Sequence, residues 1–381
     1  MQWNWQQREW PRFAWDQEKL VRAERIFLEE TGASSGASIY LTPQDKENLT
    51  VDLMTGTAVD TAKIEGETLN RDSVQSSIRR SLGLAADRKK SRPAEAGIAA
   101  MTVDNFTNYS APLRNTTLCA WHGMIMAGRT DMETIGKYRT HPEPMQIVSG
   151  TGRKKRVHFE APPSDTVAKE MKKYIAWFNR TIPANGKSAL PVLVKAGIAH
   201  IWFESIHPFE DGNGRIGRAL AEKAIMQHLT NPLATTLSTT LEKRRKEYYQ
   251  ALEKASTTLE ITDWLLWFSA AAIEATRHCF SIIRFLIAKT KMLDALKNRI
   301  NPRQEKALLR LFSAGPDGFV GGLSAGNYSA LTGAAPATAT RDLADLVNKN
   351  ALRKTGEKKA SRYWLSLPFK PVAAVSIADI Q

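Results

Sequence analysis

Cysteine is nearly missing from this chain: there are two in 381 residues, Cys119 and Cys279, far apart and each in a helical-looking stretch. That scarcity excludes a disulfide scaffold and a structural zinc site, and it points to structural thiols in a reducing cytoplasm. Long hydrophobic runs are missing too. The longest near-apolar stretch, Trp264 to Ile273, falls far short of the roughly 20 residues that span a bilayer. Residues 1 to 6 contain neither a basic nor an apolar segment, so no secretory signal and no membrane partner are expected. Acidic residues are in deficit, with 53 Lys and Arg against 39 Asp and Glu, which gives a formal charge of +14. Such an excess favours polyanions: nucleic acid, nucleotide phosphates or an anionic surface. With 43% apolar and 24% charged residues the chain is otherwise ordinary, which excludes disordered and collagen-like classes, and its length suits two or three domains.

Tryptophan is what the chain has in unusual places. Trp3, Trp5, Trp10 and Trp15 crowd the first fifteen residues, a pattern that predicts a strap lying across the body with its indoles buried. Thr42 and Pro43 read as the N-cap and first residue of a helix, with Gly56 expected to interrupt the stretch that follows. Val74, Ile78 and Leu82, with Gly83 after them, predict an amphipathic helix over 72–82. Between Arg79 and Arg92 six basic residues and one Asp lack apolar periodicity, as in a solvated connection. Alternating apolar residues around Ser149-Gly150-Thr151-Gly152, followed by Arg153 to Arg156, predict a β-hairpin in an otherwise helical chain. Helices resume from Ser164, and 264–291 reads as a largely buried one.

Beyond Asn301-Pro302, helices are expected over 303–314, 324–331 and 336–348, followed by a basic hairpin from Leu352 to Leu365. Three helices and a hairpin outline a winged helix-turn-helix, used either for DNA or for packing and protein contacts. Residues 301–381 carry a net +5. Arg341, Lys354, Lys358 and Arg362 are the candidate DNA contacts.

The most informative stretch is Ile206-His207-Pro208-Phe209-Glu210-Asp211-Gly212-Asn213-Gly214-Arg215-Ile216-Gly217-Arg218. Its Gly-x-Gly-x-x-Gly spacing matches a dinucleotide fingerprint only formally, because Val194, Ile198, Ile201 and Trp202 before it have helical spacing where that fingerprint needs a strand. The phosphate logic survives. Pro208 stops one helix and another starts near Asn213, so 207–214 form a loop between two helices. Its glycines let backbone N–H groups approach an anion, and the new helix points its positive end at the same place. Arg215 and Arg218 project from one face of that helix, each able to fork onto phosphate oxygens. Asp211 supplies a hard oxygen suited to Mg²⁺, and His207 is a candidate base for a hydroxyl proton. Nine specified positions, at roughly one in twenty each, do not arise together by chance.

These residues resemble the Fic motif, His-Pro-Phe-x-Asp-Gly-Asn-Gly-Arg-x-x-Arg, at every specified position from His207 to Arg218. The resemblance implies a mainly α fold: a helical Fic domain with a β-hairpin flap, here followed by the winged helix-turn-helix. It implies transfer of AMP from ATP to a Ser, Thr or Tyr hydroxyl of a protein partner, with His207 as general base and Asp211 as Mg²⁺ ligand. Gly212, Asn213 and Gly214 would form the anion hole, Arg215 would hold the α- and β-phosphates and Arg218 the γ-phosphate. Doc-type kinases carry Ala and Lys within this loop, whereas this chain has Gly212 and Arg215, which favours adenylyl over phosphoryl transfer.

Thr61-Ala62-Lys63-Ile64-Glu65-Gly66 is similar to the family's [Ser/Thr]-x-x-x-Glu-[Gly/Asn] inhibitory motif. Glu65 paired with Arg218 would remove the γ-phosphate's partner and misalign ATP. Because Thr61 to Gly66 precede His207, the chain resembles the class inhibited from its own N-terminus. The hairpin resembles the flap to which an extended target adds as a strand. Tyr248 and Tyr249 fall where relatives line the adenine pocket, and helix packing is the alternative for both. The Trp-rich opening resembles an N-terminal domain of unknown function that accompanies bacterial Fic proteins. The expected organisation is 1–95, Trp-rich with the inhibitory helix; 96–290, catalytic; and 300–370, winged helix. Competing readings are a DNA-binding regulator with a nucleotide-sensing Fic domain and a de-AMPylase using the same site. The oligomeric state, a homodimer included, is left open.

Overall fold

The structure, a computed structural model, describes residues 2–86, 91–132, 134–149, 156–229, 232, 235–316, 318–319, 321–367 and 372–381. The chain forms two units: Met1–Ser35, Glu47–Thr276 and Ala374–Gln381 make the first, and Gly36–Lys46 and Arg277–Ala373 the second.

In chain order the elements that build the first unit are α1 (Glu18–Ser38), α2 (Pro43–Ile64), α3 (Arg71–Ser81), α4 (Pro93–Thr107), α5 (Asn115–Ile125), β1 (Gln146–Ser149), β2 (Arg156–Glu160), α6 (Ser164–Arg180), α7 (Val192–Ile206), α8 (Asn213–Met226), α9 (Leu237–Lys243), α10 (Arg245–Ala255) and the start of α11 (Thr262–Leu296). Helix α7 is mostly apolar and almost wholly buried, its few polar side chains included, so it forms the axis of this unit and packs most extensively on α8. Gly197 allows the close approach of α11: a Cβ there would lie 2.6 Å from the Leu265 side chain, and Trp264 Nε1 donates to the Gly197 carbonyl at 2.9 Å. The buried Glu24 of α1 accepts from the Leu193 and Val194 N–H groups at 2.8 and 3.2 Å, satisfying two orphan donors at the start of α7.

The N-terminal strap forms as expected, with one difference. Trp3 is buried edge-on against Phe159 of β2, with ring centroids 5.4 Å apart, whereas Trp5, Trp10 and Trp15 are half-buried. Their indole N–H groups find partners at Glu160 O, Glu170 Oε2 and Gln17 Oε1, which keeps the ring edges at the surface. Asn4 N–H donates to Ser256 O at 2.7 Å, and Ala14 bridges to Glu260 as a short parallel pair.

Gly56 does not interrupt anything: α2 runs continuously through it. A single glycine costs a helix about 1 kcal/mol, which burial of Leu53, Met54, Ala58 and Ala62 around it outweighs. The Arg79–Arg92 connection is solvated at its ends, where Arg80 and Arg92 are exposed. Arg79 Nε donates to Ala85 O at 2.6 Å and Arg92 Nη2 pairs with Glu95 at 2.6 Å, while 87–90 lie outside the described residues. The helix predicted over 72–82 is α3, with Asn70 as N-cap and Gly83 at φ 72° beyond its end. The hairpin pairs Gln146 with Glu160 and Ser149 with Arg156 across a bulge after Ile147; its turn, including Arg153 to Lys155, is outside the described residues.

The second unit contains α12 (Pro302–Phe312), α13 (Ala325–Thr332), α14 (Pro336–Asn348), β3 (Leu352–Thr355) and β4 (Arg362–Leu365). Its core gathers Leu308, Leu311, Tyr328, Leu343, Leu346 and Tyr363. Leu323 pairs with Tyr363 through two backbone bonds of 2.9 Å, adding a bridge to the antiparallel β3–β4 hairpin. Among the described residues no helix is long and apolar enough to cross a membrane.

Candidate active site

The loop between α7 and α8 has the local conformation its residues predict. His207 closes α7 in the left-handed region, φ 49°, a conformation uncommon for any residue but glycine. Arg139, itself buried, holds that turn: its Nε donates to His207 O at 2.8 Å, its Nη2 to Pro162 O at 2.5 Å, and its N–H to Pro208 O at 3.0 Å. Asn213 clips the loop from inside, accepting from Phe209 N at 2.9 Å and donating to Phe209 O at 2.8 Å. Its side chain is therefore spent on the loop, and its contribution to an anion is its backbone N–H.

Gly212, at φ 79°, is the N-cap of α8, and a Cβ on it would strike Ile125 and Met126 side chains at 2.7 and 2.6 Å. Gly214 is open for a different reason. A Cβ there would lie 2.2 Å from Glu65 Oε1, so the glycine is what admits that carboxylate to the helix N-terminus.

Arg218 is buried and engaged on all sides. Its Nη2 meets Glu65 Oε1 at 2.7 Å and Thr61 O at 3.0 Å, its Nε donates to Thr61 Oγ1 at 2.7 Å, and its Nη1 lies 3.4 Å from Tyr248 OH. Burial works against its charge, but the Glu65 carboxylate holds the guanidinium pKa above its usual value. Gly66, at φ 85°, ends α2 in the left-handed region and turns the chain back, so that Glu67 reaches Arg215 Nη1 at 2.9 Å. Asp211 accepts from Gly212 N–H at 2.5 Å and pairs with Arg129 at 3.0 Å and Arg215 at 3.4 Å. Burial opposes its ionisation, yet Arg215 and these other partners hold the Asp211 pKa below the ordinary carboxylate value.

His207 is 8% exposed, and its Nδ1 is buried without a hydrogen-bond partner, which leaves Nε2 as the nitrogen for a substrate. Burial, with Arg139 adding to it, lowers its pKa to about 4, so the ring is neutral at pH 7 and can accept a proton. Glu204, one turn earlier on α7, places Oε2 3.9 Å from that Nδ1 and leaves Oε1 buried without a partner. Burial and then the neighbouring Glu65 push its carboxyl up to about 8.

Sequence reasoning missed Glu204, Glu67, Arg129 and Arg139. Only Glu204 carried a local signal, being three residues before His207 on one helix. Tyr248 is fully buried, its OH 2.7 Å from His200 Nε2 and its ring stacked on Trp267, so it sits in the packing beneath the site. Tyr249 is 40% exposed and donates its OH to Ile64 O at 3.1 Å. Both line a cavity of about 640 Å³ together with Glu65, Ile147, His207, Asp211 and Arg218. That size suits a small organic ligand.

A helix N-terminus, Arg218 and a neutral His207 line one cavity, an arrangement that favours an anion beside a group able to accept a proton. Residues 112–225 match the model of the Fic/DOC family, and residues 3–84 match one described as Domain of unknown function (DUF4172). Residues 112–225 thus carry a domain of the Fic/DOC family. A probable protein adenylyltransferase of Aquifex aeolicus (strain VF5) is 30% identical over 97 residues, 26% of each chain, so the match spans about a quarter of that relative's length. Among solved structures, a Fic domain containing signaling protein from Bacteroides thetaiotaomicron VPI-5482 has a TM-score of 0.51 at 18% identity, covering 69% of this chain and 98% of that one, a likeness of fold. A Fic family protein from Desulfovibrio desulfuricans G20 covers 90% of this chain and 95% of its own, with a TM-score of 0.48 and 21% identity.

Proposed function

We propose that this protein transfers AMP from ATP to a Ser, Thr or Tyr hydroxyl of a protein, and that Glu65 holds the reaction off. The observation that carries this reading is the 2.7 Å pair between Glu65 and the buried Arg218, set beside the N-terminus of α8 and a neutral His207. The first-turn N–H groups of α8 have no intrahelical acceptors and favour a phosphate there. Arg215 and Arg218 would neutralise the triphosphate once their carboxylates yield. The hydroxyl oxygen attacks the α-phosphorus, its proton passes to His207 Nε2, the bond from α-phosphorus to the bridging oxygen breaks, and pyrophosphate leaves.

Mg²⁺ fits this donor set in one respect: Asp211 is a single half-exposed carboxylate on the cavity wall, the kind of partner Mg²⁺ takes together with phosphate oxygens. Bound there, the ion would offset charge on the polyphosphate, and Arg129 and Arg215 would release Asp211 to it. A cytoplasmic location belongs to the same reading.

The test uses purified full chain with Mg²⁺ and ATP labelled at the α- or the γ-phosphate. Glu65→Gly is expected to raise α-label incorporation into protein by about tenfold or more, through release of a charge-assisted bond. In that background His207→Ala should abolish incorporation and leave ATP affinity within a few-fold. No gain in Glu65→Gly overturns the inhibitory role, retained transfer in His207→Ala overturns the base, and γ-label in the product overturns adenylyl transfer.

A further inference from the structure

In the second unit both carboxylates of α14 are taken up by partners within the unit. Asp342 of α14 is buried and accepts from Arg303 Nε at 2.9 Å, Tyr328 OH at 2.9 Å and Asn301 Nδ2 at 3.1 Å. Asp345, one turn on, accepts from Gln304 at 2.7 Å and Lys349 at 2.5 Å. Both carboxylates of α14 are thus satisfied inside the unit. The opposite face of α14 presents Ala337, Thr340, Arg341, Ala344 and Asn348, all exposed, spaced three to four apart, and without a carboxylate.

The hairpin continues that face. Arg353, Lys354 and Lys358 are exposed, with Glu357 the one acid among them. A cavity of about 640 Å³ opens between the first turn of α13, Thr340 and the hairpin, and its lining includes Lys354, Lys358 and Arg362 but no Asp or Glu among the described residues. Lys358 reaches this position with φ 48°, a left-handed conformation that a lysine adopts only where its surroundings impose it. No exposed large hydrophobic side chain lies on α14, β3 or β4 among the described residues, so the anchors that make a protein-binding surface are missing here.

We propose that this face docks duplex DNA, with the small and polar face of α14 in the major groove and Lys354, Lys358 and Arg341 on phosphates. An α-helix fits the major groove, and Ala337 and Ala344 keep the approach unobstructed. The cavity at the α13 N-terminus takes a backbone phosphate, where first-turn N–H groups and the hairpin cations converge. The inference does not depend on the reaction in the first unit.

The experiment measures fluorescence anisotropy of a labelled mixed-sequence duplex of about 30 base pairs with the full chain at about 50 and 200 mM salt. Three to four phosphate contacts predict a loss of roughly 40- to 150-fold in affinity between those salts. Arg341→Ala/Lys354→Ala/Lys358→Ala is expected to weaken binding about 100-fold at the lower salt and to flatten the salt slope by two to three. A control with the same charge loss at Arg8, Lys169 and Lys172 should stay within a few-fold of the parent. Ala344→Glu, a helix-compatible change on the exposed face, should weaken duplex binding at least about tenfold while heparin binding changes little. No duplex binding at the lower salt, a triple variant equal to the parent, or a control equal to the triple variant overturns the proposal. So does an Ala344→Glu chain that binds duplex as before.

Discussion

The two units handle positive charge in opposite ways. In the first, Arg218, Arg215 and Arg129 each meet a carboxylate, at 2.7, 2.9 and 3.0 Å, and two of these three guanidinium groups are buried. In the second the carboxylates of α14 are the groups held internally, and Arg341, Lys354 and Lys358 face solvent. A buried cation closed by a carboxylate is a latent anion site: it acts only when the carboxylate leaves, and then acts strongly because little water competes. An exposed cation is always available, but salt screens it within about 8 to 10 Å. On the two proposals made above, charge in the first unit would serve specificity and control, and in the second long-range attraction.

The largest effect that sharpens this contrast concerns Arg218. In a Glu65→Gly background, Arg218→Ala should lower kcat/KM for ATP by about 100-fold, because one misplaced phosphate costs alignment of the whole triphosphate. Lys354→Ala/Lys358→Ala in that background should leave kcat/KM unchanged. Equal losses in the two would erase the distinction between the units.

Legibility in the sequence followed contact distance along the chain. The loop from His207 to Arg218 could be read because its glycines, arginines and histidine act within a dozen residues, through backbone conformation and one helix face. Glu65 could be read because six consecutive residues carry its motif. Arg139, Arg129 and Glu67 could not, since they reach their partners across 68, 82 and 148 positions, where no periodicity operates. Glu204 carried a signal, one helical turn before His207, that a search for specified motif positions passes over. Gly56 misled for the converse reason: local propensity predicted a break, and tertiary burial of α2 overrode it. Tyr248 and Tyr249 are adjacent, yet one is buried beneath Arg218 and the other is 40% exposed, a difference set by packing against α11 rather than by residue type.

An intermediate effect compares one carboxyl from each unit. Burial raises the Glu204 pKa to about 8, from an ordinary 4.5, so the stability it contributes in protonated form is complete below about 4.5 and is lost as pH rises through 8. Glu204→Gln removes that titration, and its stability relative to the parent should rise by about 3 kcal/mol between pH 5 and 8, read as a shift in urea midpoint. For Asp342 burial raises and Arg303 lowers, and the net pKa is depressed. Its stabilisation is present above the unfolded value and lost as pH falls, so Asp342→Asn should destabilise most near neutrality and progressively less in acid. Parallel pH trends in the two variants would break the comparison.

The smallest effect isolates geometry from charge at the Glu65–Arg218 contact. Thr61 Oγ1 accepts from Arg218 Nε at 2.7 Å in a position 2% exposed, and valine fills the same volume without the acceptor. Losing one such bond is worth about 1 kcal/mol, and the Glu65 carboxylate and the Thr61 carbonyl remain to hold the guanidinium. Thr61→Val should therefore raise AMP incorporation by about fivefold at most, below Glu65→Gly, if the last turn of α2, which leads from Thr61 into Glu65, must loosen before Arg218 can turn to phosphate. A Thr61→Val gain equal to that of Glu65→Gly would mean that the placement of α2, rather than the carboxylate charge, keeps Arg218 from its ligand. The cation of the first unit would then be governed by packing, and its likeness to a charge-operated lock would fail.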